Sequence, residues 1–285
     1  MQLTMLGVRG STPAPGAAYV RYGGHTSAIA VTADGDQSPS LVLDAGTGLR
    51  NLSALLQGEP YRGSILLSHL HWDHCQGLPF FVAGDREDAK VDLYVPLQDD
   101  MSARDLLARL MSPPVFPISP EGLRGDWSFR GVSVGKTQIG RFAVRATQVT
   151  HKGGCTLGYR IDDGSSSVAY LPDHSPTQGI TADTLDLMSG VDVLVHDAQF
   201  LEAERPMADD YGHCTVEDAI KLAVGAGAST LVLFHHGPAR TDDALDEMIA
   251  EAQSPVPLVM AVEGTTLNIT RAGVVSDRPI GKGAR

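Results

Sequence analysis

The sequence predicts an α/β layered protein in which two related sheets face one another. Short β-rich apolar runs alternate with segments of helical period, ionisable residues gather just beyond the apolar runs, and the two halves of the chain repeat that layout. At 285 residues with 42% hydrophobic and 20% charged residues, the chain has ordinary globular composition and enough length for one sizeable core. A single domain over 1–285 is the expectation, with 96–140 as a candidate lid or insert and 271–285 as a tail.

In the first half the runs at 3–8, 28–32, 41–43 and 65–68 read as strands, and Leu49, Leu52, Leu55 and Leu56 recur at helical spacing between the last two. A further strand is read at 91–95. Ser102 is then placed as the N-cap of a helix carrying Leu106, Leu107 and Leu110 on one face, which Pro113 and Pro114 stop. The Pro-rich stretch 111–125 is either plain connection or a wall over a binding site. In the second half 142–149, 157–161, 168–171, 191–195, 231–234 and 258–262 read as strands. Helices are read at 216–226, where Thr215 and Asp218 have capping-box spacing, and at 242–252 behind Thr241.

The formal net charge of −12 disfavours a large nucleic-acid footprint, since a polyanion is repelled unless a basic patch overrides the field. A small anionic substrate stays compatible, because divalent cations would offset converging carboxylates. The N-terminal stretch has no charged segment leading into an apolar one, and no run of about 18 apolar residues occurs, so the chain reads as cytoplasmic and without a membrane partner. Cys75, Cys155 and Cys214 show no paired spacing and read as reduced, buried thiols rather than metal ligands.

The chemistry concentrates in SILLSHLHWDHCQGLPFF, where an apolar strand runs into His69, His71, Asp73 and His74. Four ionisable groups at a buried strand end need something to bind. Imidazole and carboxylate suit Zn²⁺ and its neighbours, and four such groups this close would serve two ions.

HLHWDH resembles the His-x-His-x-Asp-His signature of the metallo-β-lactamase superfamily, and the other motifs of that family follow in order over roughly residues 1–270. Asp44 in LVLDAGTG matches the early aspartate that supports the ligand loop. His151 in VTHKGG, Asp173 in AYLPDH and His235 in LVLFHH match the later metal motifs. The resemblance implies a four-layer αββα sandwich. It also implies two divalent metal ions, Zn²⁺ with Mn²⁺ as an alternative: His69, His71 and His151 hold one, Asp73, His74 and His235 the other, and Asp173 bridges them. Two cations sharing a carboxylate and a solvent molecule would yield a bridging hydroxide, which Asp73 would help to orient.

The element GHCT is similar to the Gly-His-Ser/Thr element of the ribonuclease Z and phosphodiesterase branch, which makes His213 a candidate for contacting the phosphate and protonating the leaving oxygen. Asp173 follows His151 by only 22 positions, too few for the tRNA-gripping arm of ribonuclease Z enzymes. The reading is therefore a hydrolase of small phosphodiesters, most of all cyclic nucleotides, with a homodimer implied by the resemblance. Alternatives are a carboxylic-ester, lactone or thioester hydrolase, and a nucleotide-binding protein without turnover. Asp173 stands where β-lactamases use cysteine, and His71 where di-iron relatives use Glu, which disfavours both. Arg9 is a candidate phosphate contact, with a surface role as the alternative. His25 and His196 read as structural, His236 as turned away from the metals, and His174 has no assigned role.

Overall fold

The computed structural model describes residues 1–177, 179–270 and 273–277. Its strands are β1 (Gln2–Gly7), β2 (Ala28–Thr32), β3 (Leu41–Leu43), β4 (Arg62–Leu66), β5 (Lys90–Pro96), β6 (Asp126–Val132), β7 (Gly135–Ile139) and β8 (Phe142–Gln148). They continue with β9 (Leu157–Asp162), β10 (Ser167–Leu171), β11 (Val193–Asp197), β12 (Leu231–Phe234), β13 (Leu258–Met260), β14 (Thr266–Thr270) and β15 (Gly273–Ser276). Among the described residues these form two sheets, ordered β15-β14-β1-β2-β3-β4-β5-β6 and β13-β12-β11-β10-β9-β8-β7.

Strand period 2 explains the layering. In β1 and β2, Leu3, Met5, Ile29 and Val31 point into the core between the sheets, while Leu6, Ala28 and Ala30 point outward under helices. In β11 and β12, Val193, Val195, Val232 and Phe234 point inward, whereas Leu194, Leu231 and Leu233 meet the opposite helical layer. Both faces of the central strands β2, β3, β10, β11 and β12 are covered, so these strands read as unbroken apolar runs rather than alternating ones. The helices α1 (Arg50–Leu55), α2 (Trp72–Cys75) and α3 (Ala103–Ala108) lie with the first sheet; α4 (Ala182–Met188), α5 (Arg205–Tyr211), α6 (Val216–Ala226) and α7 (Asp242–Glu251) lie with the second half of the chain. The result is the helix–sheet–sheet–helix sandwich that the resemblance implied.

The predicted caps are in place. Asp218 N–H donates to Thr215 Oγ1 at 3.2 Å and Thr215 N–H returns a bond to Asp218 at 3.4 Å. Such a box is worth about 1 kcal/mol to the helix. Ser102 and Thr241 cap α3 and α7 in the same way, by accepting N–H bonds from Asp105 and Ala244.

Two sequence expectations change. The segment 96–140 is not one insert: β6 pairs with β5 along its length and β7 opens the second sheet, which leaves residues 97–102 and most of the stretch between α3 and β6 without regular structure. There the Phe116 ring packs edge-on to Phe80 at 5.8 Å. Within the expected tail, residues 273–276 form β15, paired with β14, because Val274 and Val275 continue the first sheet. Residues 271–272 and 278–285 lie outside the described residues. Among the described residues no helix is long and apolar enough to cross a membrane.

Candidate metal centre

The chemistry sits where strands of both sheets end at one rim. Asp44 follows β3, the run Ser68 to His74 follows β4, Asp173 follows β10, Asp197 ends β11 and His235 follows β12. This is where open α/β sheets place their ligands, since loops leaving the carboxyl ends of strands are free to turn over the edge. Three residues here, Ser11, Asp44 and His235, have φ near +60°. A non-glycine residue holds that conformation only when its surroundings fix it. Gly10 is required for a related reason: a Cβ there would lie 2.4 Å from His235 Nδ1 and 2.5 Å from Gln199 Oε1.

Asp44 is the buried anchor of the ligand loop. Its carboxylate accepts the Ser68 N–H at 2.6 Å, the Ser68 hydroxyl at 2.8 Å, the Tyr170 hydroxyl at 2.7 Å and the His74 Nδ1–H at 2.8 Å. Because Ser68 spends its proton on Asp44, its oxygen accepts from His69 Nδ1 at 3.0 Å. Asp44 thereby fixes two imidazoles with Nε2 unprotonated and aimed inward. Gly212 O does the same for His151, accepting its Nδ1–H at 2.7 Å.

Those nitrogens converge in two groups. In one, His69, His71, His151 and Asp173 present donor atoms to a common point: His71 Nδ1 is 3.2 Å from His151 Nε2, and Asp173 Oδ2 is 3.4 Å from His151 Nε2 and 3.6 Å from His69 Nε2. In the other, Asp173 Oδ1 is 3.1 Å from His74 Nε2 and 3.2 Å from His235 Nε2, while Asp73 Oδ2 is 3.2 Å and 3.1 Å from the same nitrogens. Metal–ligand bonds of about 2.0–2.1 Å at tetrahedral angles give donor–donor edges of about 3.3 Å. Both groups match that edge, and Asp173 offers one oxygen to each. Ser11 N–H steadies Asp73 Oδ2 at 2.7 Å.

The electrostatics call for positive charge. His69 Nε2 and Asp173 Oδ1 are buried without a hydrogen-bond partner, a loss of about 1–3 kcal/mol each unless something binds them. Burial and neighbouring imidazoles hold His69 and His71 below the ordinary histidine range, and burial lowers His151 as well, which suits neutral ligands. Burial alone would lower His74 too, yet Asp173, Asp73 and Asp44 raise it well above its usual value. A divalent cation would satisfy those carboxylates in its place. Despite burial, the surrounding imidazoles keep Asp73 and Asp173 ionised.

Over the second donor group stands His213, its ring stacked on that of His235 with centroids 5.2 Å apart. Its Nδ1 donates to Asp197 Oδ2 at 2.8 Å. Burial would depress this imidazole, but Asp197 outweighs it and raises the pKa to about 9. Asp197 is itself held by N–H bonds from Gln199, His174 and Cys214 at 3.0–3.3 Å. A cavity of about 400 Å³, lined by Ser11, Leu70, Trp72, Asp73, Asp173 and His213 among others, opens over this arrangement. A larger apolar cavity of about 780 Å³, between Pro13 and Phe80, includes none of the donor residues in its lining.

Comparison with known proteins agrees with this geometry. The family model described as a beta-lactamase superfamily domain matches residues 40–236. The chain belongs to this superfamily. Rv1339, an uncharacterized protein of Mycobacterium tuberculosis, is 30% identical over 286 residues, covering 96% of this chain and 94% of its own. Ribonuclease Z of Haloarcula marismortui is 24% identical over 324 residues, covering 93% and 95%. The metallo-β-lactamase fold protein YhfI of Bacillus subtilis superposes with a TM-score of 0.72 at 20% identity, covering 94% and 99%. The fold is thus the metallo-β-lactamase fold, in a chain with ribonuclease Z relatives.

The remaining histidines of this superfamily member separate cleanly. His236 turns away and donates from Nε2 to Ala261 O at 2.8 Å. His25 pairs with Glu263 at 2.7 Å. His174 Nδ1 meets His196 Nε2 at 3.0 Å, and His196 Nδ1 donates to Asp197 O, so both are buried behind the Asp197 loop. Arg9 is corrected on both counts. It is fully buried, and its guanidinium donates to Gly23 O at 2.7 Å and Arg240 O at 2.7 Å and faces Asp242 at 3.5 Å, which leaves it neither on the surface nor turned to a phosphate. Asp197 was not singled out from the sequence. The signal available was its position at the end of an apolar strand, immediately before a break in hydrophobicity.

Proposed function

We propose that this protein is a dinuclear metal hydrolase of small phosphodiesters, with cyclic nucleotides as the leading substrates and zinc as the leading metal. The observation that carries the reading is the His213–Asp197 pair beside the two donor groups joined by Asp173. Divalent cations bound at these groups would supply Lewis acidity and lower the pKa of a shared water towards neutrality. The protein's own residues do the rest. Asp173 and the six other donors set the spacing, and Asp44 fixes His69 and His74 in the tautomer that leaves Nε2 free. Asp73, steadied by Ser11 N–H, orients the attacking water.

With Nδ1 committed to Asp197, His213 has only Nε2 to present to the cavity. A phosphodiester seated over Asp173 places its departing oxygen near that nitrogen, so the Nε2 proton passes to the alkoxide as the P–O bond breaks. An acyl ester, lactone or thioester needs such an acid less, because its leaving group is better or its oxyanion is stabilised directly. The ribonuclease Z relative points the same way, towards phosphorus. The protein is read as acting on small molecules in the cytoplasm, as a homodimer. Metal-loaded protein should hydrolyse bis(p-nitrophenyl) phosphate and 3′,5′-cyclic nucleotides; rapid turnover of lactones or glutathione thioesters with both phosphodiesters untouched would reject the reading.

A further inference from the structure

The cavity over the donor groups has a neighbour. A side cavity of about 180 Å³ is bounded by His69, Leu70 and His71 on one side and by Gln98 and Arg109 on another, and Leu70 and His71 line both cavities. At about 30 Å³ per water it holds roughly six waters, room for a tetrahedral anion. Two donors face it. Gln98 accepts Cys155 N–H through Oε1 at 2.9 Å, which leaves its amide N–H groups uncommitted. Arg109, exposed at the C-terminal end of α3, makes no side-chain hydrogen bond or ion pair among the described residues. Arg50 and Arg62 are likewise without such a contact among the described residues, whereas Arg21, Arg86, Arg104, Arg124, Arg130 and Arg141 pair with carboxylates; of the three uncommitted arginines only Arg109 lines this cavity. In a protein of net charge −12, an arginine without an acidic partner beside a cavity that touches two metal-donor histidines favours an anion there.

The geometry points to a subsite for a second phosphoryl group of the substrate, with Arg109 as the residue that selects for it. This rests on the phosphodiester reading above. A substrate whose scissile phosphate lies over Asp173 passes its remaining body across Leu70 and His71, and a second phosphate beyond that wall meets the Arg109 fork and the Gln98 amide. Such a contact is bidentate and charge-assisted, so it discriminates between ligands that differ by one phosphate.

The test uses metal-loaded full-length protein and two probe pairs. By calorimetry, thymidine 3′,5′-bisphosphate should bind at least about tenfold tighter than thymidine 5′-monophosphate, and R109A should erase that difference while R109K keeps part of it. R62A, at the opposite end of β4 from the ligand loop, controls for loss of one positive charge and should leave the ratio unchanged. In turnover, thymidine 5′-(4-nitrophenyl phosphate) with a 3′-phosphate should show a correspondingly higher kcat/KM than without it, in an R109-dependent way. Equal binding of the two nucleotides by wild-type protein, or a ratio that R109A does not move, overturns the subsite. Absence of all phosphodiester turnover with the binding ratio intact would reject the hydrolase reading and leave the subsite standing.

Discussion

His74 Nε2 lies 3.3 Å from His235 Nε2, although the two residues are 161 positions apart and leave different sheets. His74 commits Nδ1–H to Asp44, so Nε2, the nitrogen that faces His235, is the one left to meet a cation. With Asp73 Oδ2 and Asp173 Oδ1 it completes a four-atom group whose edges suit a cation of zinc's size. Two metal ions per chain are expected by mass spectrometry. Asp173→Ala should lower that count to one or fewer, because it removes a donor from each group, whereas one unaltered pair of ions would show that Asp173 does not bridge.

Metal removal should also destabilise the fold. Ions that bind only the native state stabilise it by about 2.7 kcal/mol at a free concentration 100 times Kd. Chelation should therefore lower Tm, and restoring zinc or manganese should raise it again. A Tm indifferent to chelator would place the donor groups outside any metal chemistry.

Asp44→Asn keeps the shape of the anchor and removes its charge and one acceptor. Since Asp44 orients His69 and His74 without being a donor to either group, metal affinity should fall about 10–100-fold while the protein still folds. Unchanged affinity would mean that the loop backbone alone holds the imidazoles.

His213→Ala should lower kcat on phosphodiesters by about 10²–10⁴-fold with metal content preserved. Asp197→Asn should act in the same direction and by less, because His213 remains but loses its charge partner. Rates equal to wild type in both variants would remove His213 from the chemistry.

Away from the site, Asp163 gives a pH dependence of stability. Burial opposes its charge, but N–H bonds from Asp34, Ser165 and Ser166 and the Ser165 hydroxyl outweigh it and lower its pKa to about 2. An unfolded aspartate titrates near about 3.9. The folded value is the lower one, so the stabilisation is complete above about pH 4 and is lost as pH falls towards 2. Urea midpoints of wild type should drop through that window more steeply than those of Asp163→Asn; parallel curves would contradict the assignment.

The sequence was legible where residue type and period were both strong. Asp44 and the candidate donors His69, His71, Asp73, His74, His151, Asp173 and His235 lie in short motifs at strand ends, so they could be named before the fold was seen to bring them together. The caps at Ser102, Thr215 and Thr241 are local chemistry and were equally plain. What was missed depends on tertiary placement. β7, with the sequence GKTQI, is mostly exposed at a sheet edge and carries no apolar period. β6 is half-exposed beside β5 and reads as loop. Asp197 belongs to no metal motif, and only the fold brings it under His213. Arg9 looked like a free cation because its partners, the carbonyls of Gly23 and Arg240 and the carboxylate of Asp242, are brought to it by the fold from segments that its own neighbourhood in the sequence does not indicate.

The most direct test of the central claim is a steady-state comparison of metal-loaded protein on 3′,5′-cyclic AMP, bis(p-nitrophenyl) phosphate, an acyl-homoserine lactone and a glutathione thioester. A dinuclear phosphodiesterase should turn over the two phosphodiesters, in a reaction that chelator abolishes and His213→Ala slows by about 10²-fold or more. Turnover confined to the lactone or thioester, with His213→Ala as active as wild type, would contradict it.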